Sequence, residues 1–259
     1  MALGGVPEGA VCANHVDTPA TATCKRCGTF VCNSCAVFDA EGTVLCAGCA
    51  PRAAGAIPWE RRREIGFGKA LVGTIKLAML RPSELFRAQP SDLGYGSPLF
   101  FAVVTQAIGQ LFAAVWQTIL ALVMIGMTGG GSEELFAQVL PQAAILVFSP
   151  LLTVLGVFIW SGIVHLCLTI FGGARGSFDT TLRVVAYGTA TAVWGVIPLV
   201  GAFIGSIWSI VIEIIGLTEA HRTTGGRAAA AVLVPIALCC VVVLVFVGLA
   251  AFSISSALM

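Results

Sequence analysis

The chain has 259 residues, 58% of them hydrophobic and only 10% charged, with a mean hydropathy of +0.96. Soluble domains carry about 25% charged residues, so this composition excludes a water-soluble globule. The formal net charge of +1 excludes nothing by itself, but most of the charge precedes Pro98 and the apolar mass follows it, which predicts a hydrophilic head joined to a membrane domain.

Residues 1–11 have neither a basic start nor an apolar core, which predicts no cleavable signal peptide. Next come four ligand pairs at two-residue gaps, Cys12 with His15, Cys24 with Cys27, Cys32 with Cys35 and Cys46 with Cys49. A gap of two lets both members of a pair reach one tetrahedral ion from a tight turn, and eight soft or imidazole ligands fill two closed four-coordinate Zn²⁺ sites. Spacing alone leaves the pairing open between sequential and interleaved. Such pairs favour thiolate ligation in a reducing compartment over disulfides. The ligands come in complete fours and no further histidine lies in the head, so both ions are expected to be structural, and residues 1–50 form a module that metal folds. Lys25 and Arg26, with Phe30, Val31 and Phe38, are its candidate contacts for a protein partner, the alternative being that the apolar side chains pack its small core and the bases are solvated; the basic surface is too sparse for nucleic acid.

A linker follows at 51–65, ending in the basic run Arg61, Arg62 and Arg63. Across 66–97 the pattern becomes helical, with Phe67, Ala70, Leu71, Thr74, Ile75 and Ala78 on one face and Lys69 and Lys76 opposite. This predicts a helix lying in the headgroup plane, with the arginines and lysines touching anionic lipid.

Residues 98–259 are expected to form an all-α polytopic domain with five transmembrane helices, at 99–127, 143–171, 180–198, 201–217 and 228–253, the alternative being that the third and fourth form a re-entrant hairpin through residues 197–201. All fourteen Lys and Arg fall in the head, in the 172–183 region or in the 218–228 loop. The positive-inside rule then places the N-terminus in the cytoplasm and the C-terminus outside. Gln106, Gln110 and Gln117 make a polar stripe on the first span, Ser161, Gly162, His165 and Thr169 one on the second, and Gly201, Gly205, Ser206, Ser209 and Glu213 one on the fourth. Gly201 and Gly205 suit close helix packing and leave room for a homo-oligomer. His165, Arg183 and Glu213 fall at similar depth near the cytoplasmic side, with Tyr187 a turn above Arg183, and form a candidate intramembrane polar cluster. Its alternatives are an ion or proton site and an Arg183 to Glu213 ion pair with His165 beside it. His221 and Arg222, in the last inner loop, are candidate contacts for lipid or a partner.

Two resemblances add to this reading. The head is similar to a B-box-type zinc finger, which interleaves its ligand pairs in a cross-brace. The resemblance implies one ion on Cys12, His15, Cys32 and Cys35 and the other on Cys24, Cys27, Cys46 and Cys49. B-boxes commonly end in histidines, whereas this segment ends in Cys46-Ala-Gly-Cys49, making the second site all-thiolate. From Thr74-Ile-Lys-Leu-Ala-Met-Leu-Arg-Pro82 through Val196-Ile-Pro-Leu-Val-Gly201 to Leu217-Thr-Glu-Ala-His221, the chain resembles prokaryotic Yip1-domain proteins. Eukaryotic relatives of that family are Golgi and vesicle membrane proteins that partner small GTPases and help shape membranes. The resemblance implies a non-enzymatic membrane organiser or adaptor whose zinc module recruits a cytosolic protein. A small transporter or channel, with the polar cluster as its inner site and the zinc head as regulator, is the alternative. Arg outnumbers Lys eleven to three, which points to a GC-rich bacterial genome and the inner membrane, with the Golgi or endoplasmic reticulum as the eukaryotic alternative.

Overall fold

The computed structural model describes residues 6–7, 9–38, 42–49, 57–87 and 94–257, with side chains described to residue 250. The chain divides into two compact units, Met1–Thr74 with Glu84–Leu93, and Ile75–Ser83 with Gly94–Met259. Part of the expected linker, 51–56, lies outside the described residues.

In the first unit the ligand region folds as three two-stranded antiparallel ladders: β1 (Val11–Cys12) with β2 (His15–Pro19), β3 (Ala22–Thr23) with β4 (Phe30–Val31), and β5 (Ala36–Phe38) with β6 (Val44–Cys46). Strands this short bury little by themselves. The core is two small clusters, one of Cys12, Ala22, Val31, Cys32 and Cys35, the other of Cys24, Leu45 and Cys49, so most of what is buried is ligand sulfur. Below about forty residues a domain needs metal or disulfides to offset the entropy of ordering its chain.

A 3-10 turn at Pro58–Arg61 and a single α-helical turn, α1 (Arg62–Ile65), lead into α2 (Phe67–Leu80) and α3 (Pro82–Arg87). Ala70, Thr74 and Ala78, one α2 face at successive turns, are fully buried, and the Trp59 N–H donates to Thr74 Oγ1 at 2.8 Å. That part of the expected lipid-facing stripe is therefore covered by protein. Trp59 is itself buried and meets the Phe67 ring edge-on at 5.2 Å. The outer side of α2 presents Phe67, Val72 and Leu80 together with Lys69 and Lys76.

The second unit holds α4 (Gly96–Thr128), α5 (Ser132–Ile170), α6 (Phe178–Gly188), α7 (Gly201–His221) and α8 (Gly225–Ala257). Four described helices are long and apolar enough to cross a membrane: α4, α5, α7 and α8. The expected third span is different in kind. Its residues form the eleven-residue α6, which continues as a 3-10 stretch at Thr189–Val196. At the change of winding the Thr189 hydroxyl donates to the Ala186 carbonyl and the Thr191 hydroxyl to the Gly188 carbonyl. Asp179 and Arg183 also dilute the apolar run.

This broken element is the centre of the unit, and residues 181–188 are buried without exception. It runs parallel to α4: the rings of Phe101 and Tyr187 lie 5.2 Å apart, the hydroxyls of Thr105 and Thr189 are 2.9 Å apart, and the Trp116 indole donates to the Val196 carbonyl at 3.2 Å. Against α7 the order reverses, from Thr181 beside His221, through Gly188 beside Glu213 and Thr191 beside Gly205, to Trp194 beside Gly201. The element thus follows α7 from one end to the other. Two glycines permit the approach. A β-carbon on Gly109 would sit 2.7 Å from the Ala192 carbonyl oxygen, and one on Gly205 would sit 2.9 Å from that of Thr191. Gly201 and Gly205 therefore spend their small-residue face inside the chain, on the 3-10 stretch, and not on a second copy.

One of the two proline breaks in α5, at Pro150, is repaired locally. Pro150 has no N–H for the Leu146 carbonyl, and the Ser149 hydroxyl donates to that oxygen at 2.9 Å.

Candidate metal centres and the membrane-domain cluster

The interleaved arrangement is the one the head adopts. Cys12, His15, Cys32 and Cys35 converge in one group and Cys24, Cys27, Cys46 and Cys49 in the other, with all ligand atoms of a group within 4.8 Å of one another. Local structure makes each pair a knuckle: the Cys35 N–H donates to the Cys32 carbonyl, the Cys49 N–H to that of Cys46, and the Gly28 N–H to that of Cys24. The β3–β4 ladder carries the Cys24–Cys27 knuckle away from its sequence neighbours and brings Cys32 and Cys35 back beside Cys12 and His15, which selects interleaving.

Distances fit the donor set. Bond lengths of about 2.3 Å to sulfur and about 2.0 Å to nitrogen in a tetrahedron put ligand atoms roughly 3.5–3.8 Å apart. His15 Nδ1 lies 3.4 Å from Cys32 Sγ, 3.4 Å from Cys35 Sγ and 3.9 Å from Cys12 Sγ. In the other group Cys27 Sγ and Cys46 Sγ are 3.7 Å apart. Each group can hold a metal ion, with Nδ1 the histidine donor.

The surroundings act unequally on the thiols, lowering Cys12, Cys27 and Cys32 and raising Cys35 and Cys49. Burial raises the Cys12 thiol, but backbone N–H groups of Cys32, Asn14 and His15 outweigh it and hold it at about 6. Cys27 is likewise held at about 6 against burial by the hydroxyl and N–H of Thr29. Burial and the neighbouring sulfurs push Cys49 up to about 12, and the hydrogen bond to Cys32 raises His15. Asn14 Nδ2, 3.8 Å from Cys35 Sγ, and Thr29 Oγ1, 3.1 Å from Cys27 Sγ, support ligands without being ligands, and a spacing pattern does not single them out. Of the expected contact residues, Val31 is buried, Arg26 and Phe30 are half-buried, and Lys25 and Phe38 are exposed; Val16 on β2 and Val37 on β5, not expected, are exposed as well.

The basic candidates fare unequally. Arg61 pairs with Glu64 at 2.8 Å on the surface, Arg62 lies over the Trp59 ring, and Arg63 is exposed. Arg222 is exposed, and its carbonyl accepts from Arg175 Nη1 at 3.1 Å. His221 is not at the surface; it is 1% exposed. The Gly176 N–H donates to His221 Nδ1 at 3.0 Å, so Nε2 carries the proton and donates to Thr181 Oγ1 at 2.9 Å. The Thr181 hydroxyl then donates to His165 Nδ1 at 2.8 Å.

The intramembrane cluster is redistributed. His165 joins Thr181 and His221 instead of Glu213 and Arg183. Glu213, 8% exposed, accepts from the indole N–H of Trp160 at 2.9 Å, and the expected ion pair with Arg183 does not form. Arg183 is buried on α6. Trp160 was legible only as a tryptophan deep inside an apolar run, where an indole N–H requires an acceptor. Between α4, α5, α6 and α7 lies a cavity of about 380 Å³, whose lining includes Gln106 and Gln110 from the first polar stripe and Ser209 and Glu213 from the fourth.

The Yip1 domain family model matches residues 76–247. No curated protein and no solved structure matches the chain. A match that begins within α2 and runs through most of α8 covers well over half of the sequence, and the protein belongs to the Yip1 domain family.

Proposed function

We propose that this protein is a non-enzymatic membrane organiser or adaptor, whose Yip1-type domain anchors a B-box-like module that recruits a cytosolic protein. Two structural Zn²⁺ ions close that module. The observation that carries the reading is the pair of complete four-ligand groups, which leave no ligand position for substrate, on a chain of a membrane family. The N-terminus faces the cytoplasm and the C-terminus the outside, in the bacterial inner membrane. Support for five passes comes from the α6 and 3-10 element, which follows α7 from end to end. Exposed Phe67, Val72 and Leu80 beside Lys69 and Lys76 suit contact between α2 and the headgroups.

The test combines metal content with in-cell crosslinking of the full chain, wild type against Cys24→Ser with Cys27→Ser. Two zinc ions per chain, with one ion and a specific cytosolic partner lost together in the variant, is the expected result. An unchanged set of crosslinked proteins would sink the adaptor role.

A small transporter or channel is the second reading, supported by the His165, Thr181 and His221 chain at one end of the bundle. It requires a flux in reconstituted vesicles that His165→Ala abolishes.

A further inference from the structure

The carboxyl of Glu213 is more than nine-tenths buried, yet no cationic side chain among the described residues pairs with it. Only the Trp160 N–H does, on Oε2, while Oε1 lies toward Gly188. Glu213 is eight residues from the His221 end of α7, roughly 12 Å along its axis, so the carboxyl is well inside the apolar slab. Around it the cavity of about 380 Å³ presents further polar groups with no use elsewhere: among the described residues the side chains of Gln106, Gln110 and Thr153 have no hydrogen-bond partner. Gln106 and Thr153 are half-buried and Gln110 is exposed, so three side chains without a protein partner stand around one buried carboxyl, and in hydrocarbon such groups are costly until a polar ligand meets them. A second cavity of about 230 Å³ shares Gln106, Gln110 and Ser209 and extends past Gly205 to Ala202, near the start of α7.

We propose that the Glu213 cavity is a binding site for a primary ammonium group. The lining decides the class. An anion would meet a carboxyl and no basic side chain. A bare alkali ion needs oxygens closing tightly around it, whereas this space exceeds the roughly 30 Å³ of one water by an order of magnitude. Ligand pockets run from about 300 Å³ upward, so an organic group fits. Glu213 Oε1 takes the ammonium charge while the Trp160 N–H holds Oε2, and the carbonyls of Gln106 and Gln110 with the hydroxyls of Thr153 and Ser209 accept the remaining N–H or O–H donors. The ammonium can come from a free amine or from an aminophospholipid headgroup, and the site holds whether or not anything crosses the membrane.

The full chain in nanodiscs of phosphatidylcholine, titrated with n-propylamine and separately with n-propanol, gives the test through tryptophan fluorescence. Trp160→Phe identifies the reporting signal. A saturable response to the amine and none to the alcohol is expected, weakened about tenfold or more in Glu213→Gln. Thr153→Phe fills the cavity without touching the carboxyl and abolishes the response, which keeps the test open if the Glu213 variant misfolds. Equal responses to amine and alcohol, or an amine response that survives both substitutions, overturn the proposal. Phosphatidylethanolamine in the nanodisc separates the sources: a headgroup ligand pre-empts the propylamine response, and a free amine leaves it intact.

Discussion

At the scale of single residues, the ligand grouping makes opposite forecasts for two double substitutions. Cys12→Ser with Cys32→Ser strikes one group and leaves the second ion, whereas Cys12→Ser with Cys24→Ser strikes both and leaves none. A sequential pairing reverses the two results, so metal content by mass spectrometry decides between them. In the second unit, Trp160→Phe keeps an aromatic side chain and deletes the only donor to Glu213 among the described residues. An orphaned buried carboxyl costs about 1–3 kcal/mol, read as a lowered melting temperature in detergent. The loss should shrink in a Glu213→Leu background, because the two residues share one interaction. The metal ligands were legible because coordination imposes its spacing on the sequence. Trp160 and Glu213 were not paired in advance, since hydropathy gives no azimuth precise enough to join residues on α5 and α7. The same blindness put Arg183 in place of Trp160 and left His221 at the surface.

Among elements, the α6 and 3-10 segment carries the clearest lesson. A window of apolar residues at 180–198 reads as one span, but hydropathy does not register winding, and the segment passes from α-helix to 3-10 at Thr189. The small-residue pattern at Gly201 and Gly205 was visible, while its partner was not: the same pattern serves a second copy or a neighbouring segment equally well. Gly205→Val should separate α7 from the 3-10 stretch and destabilise the domain by about 1–3 kcal/mol. Gly156→Ala, on α5 where a β-carbon meets nothing within 4 Å, should be neutral or slightly stabilising. Thermal unfolding of the two variants side by side checks the contrast; equal losses would refute the close-contact argument.

For the whole molecule, this is an integral membrane protein of the Yip1 domain family with a Cys/His-rich N-terminal region. Its topology turns on whether the central element crosses. With five passes, an impermeant maleimide added to intact cells labels Ser132→Cys, at the start of α5, and Val200→Cys, before α7, but not Thr224→Cys. Labelling at Thr224 and not at Val200 would mean that α7 runs the other way.

Interleaving also dictates an order of events during synthesis. The first group is complete once Cys35 has left the ribosome, while Cys24 and Cys27 wait inside a closed loop for Cys46 and Cys49. Both groups are complete before any residue of α4 exists. With the two zinc ions proposed above, an N-terminal unit that folds as it is made meets its metal before the nascent chain presents its first membrane helix. Zinc starvation should then be felt as a folding fault at the start of biogenesis, while the chain is still attached to its ribosome.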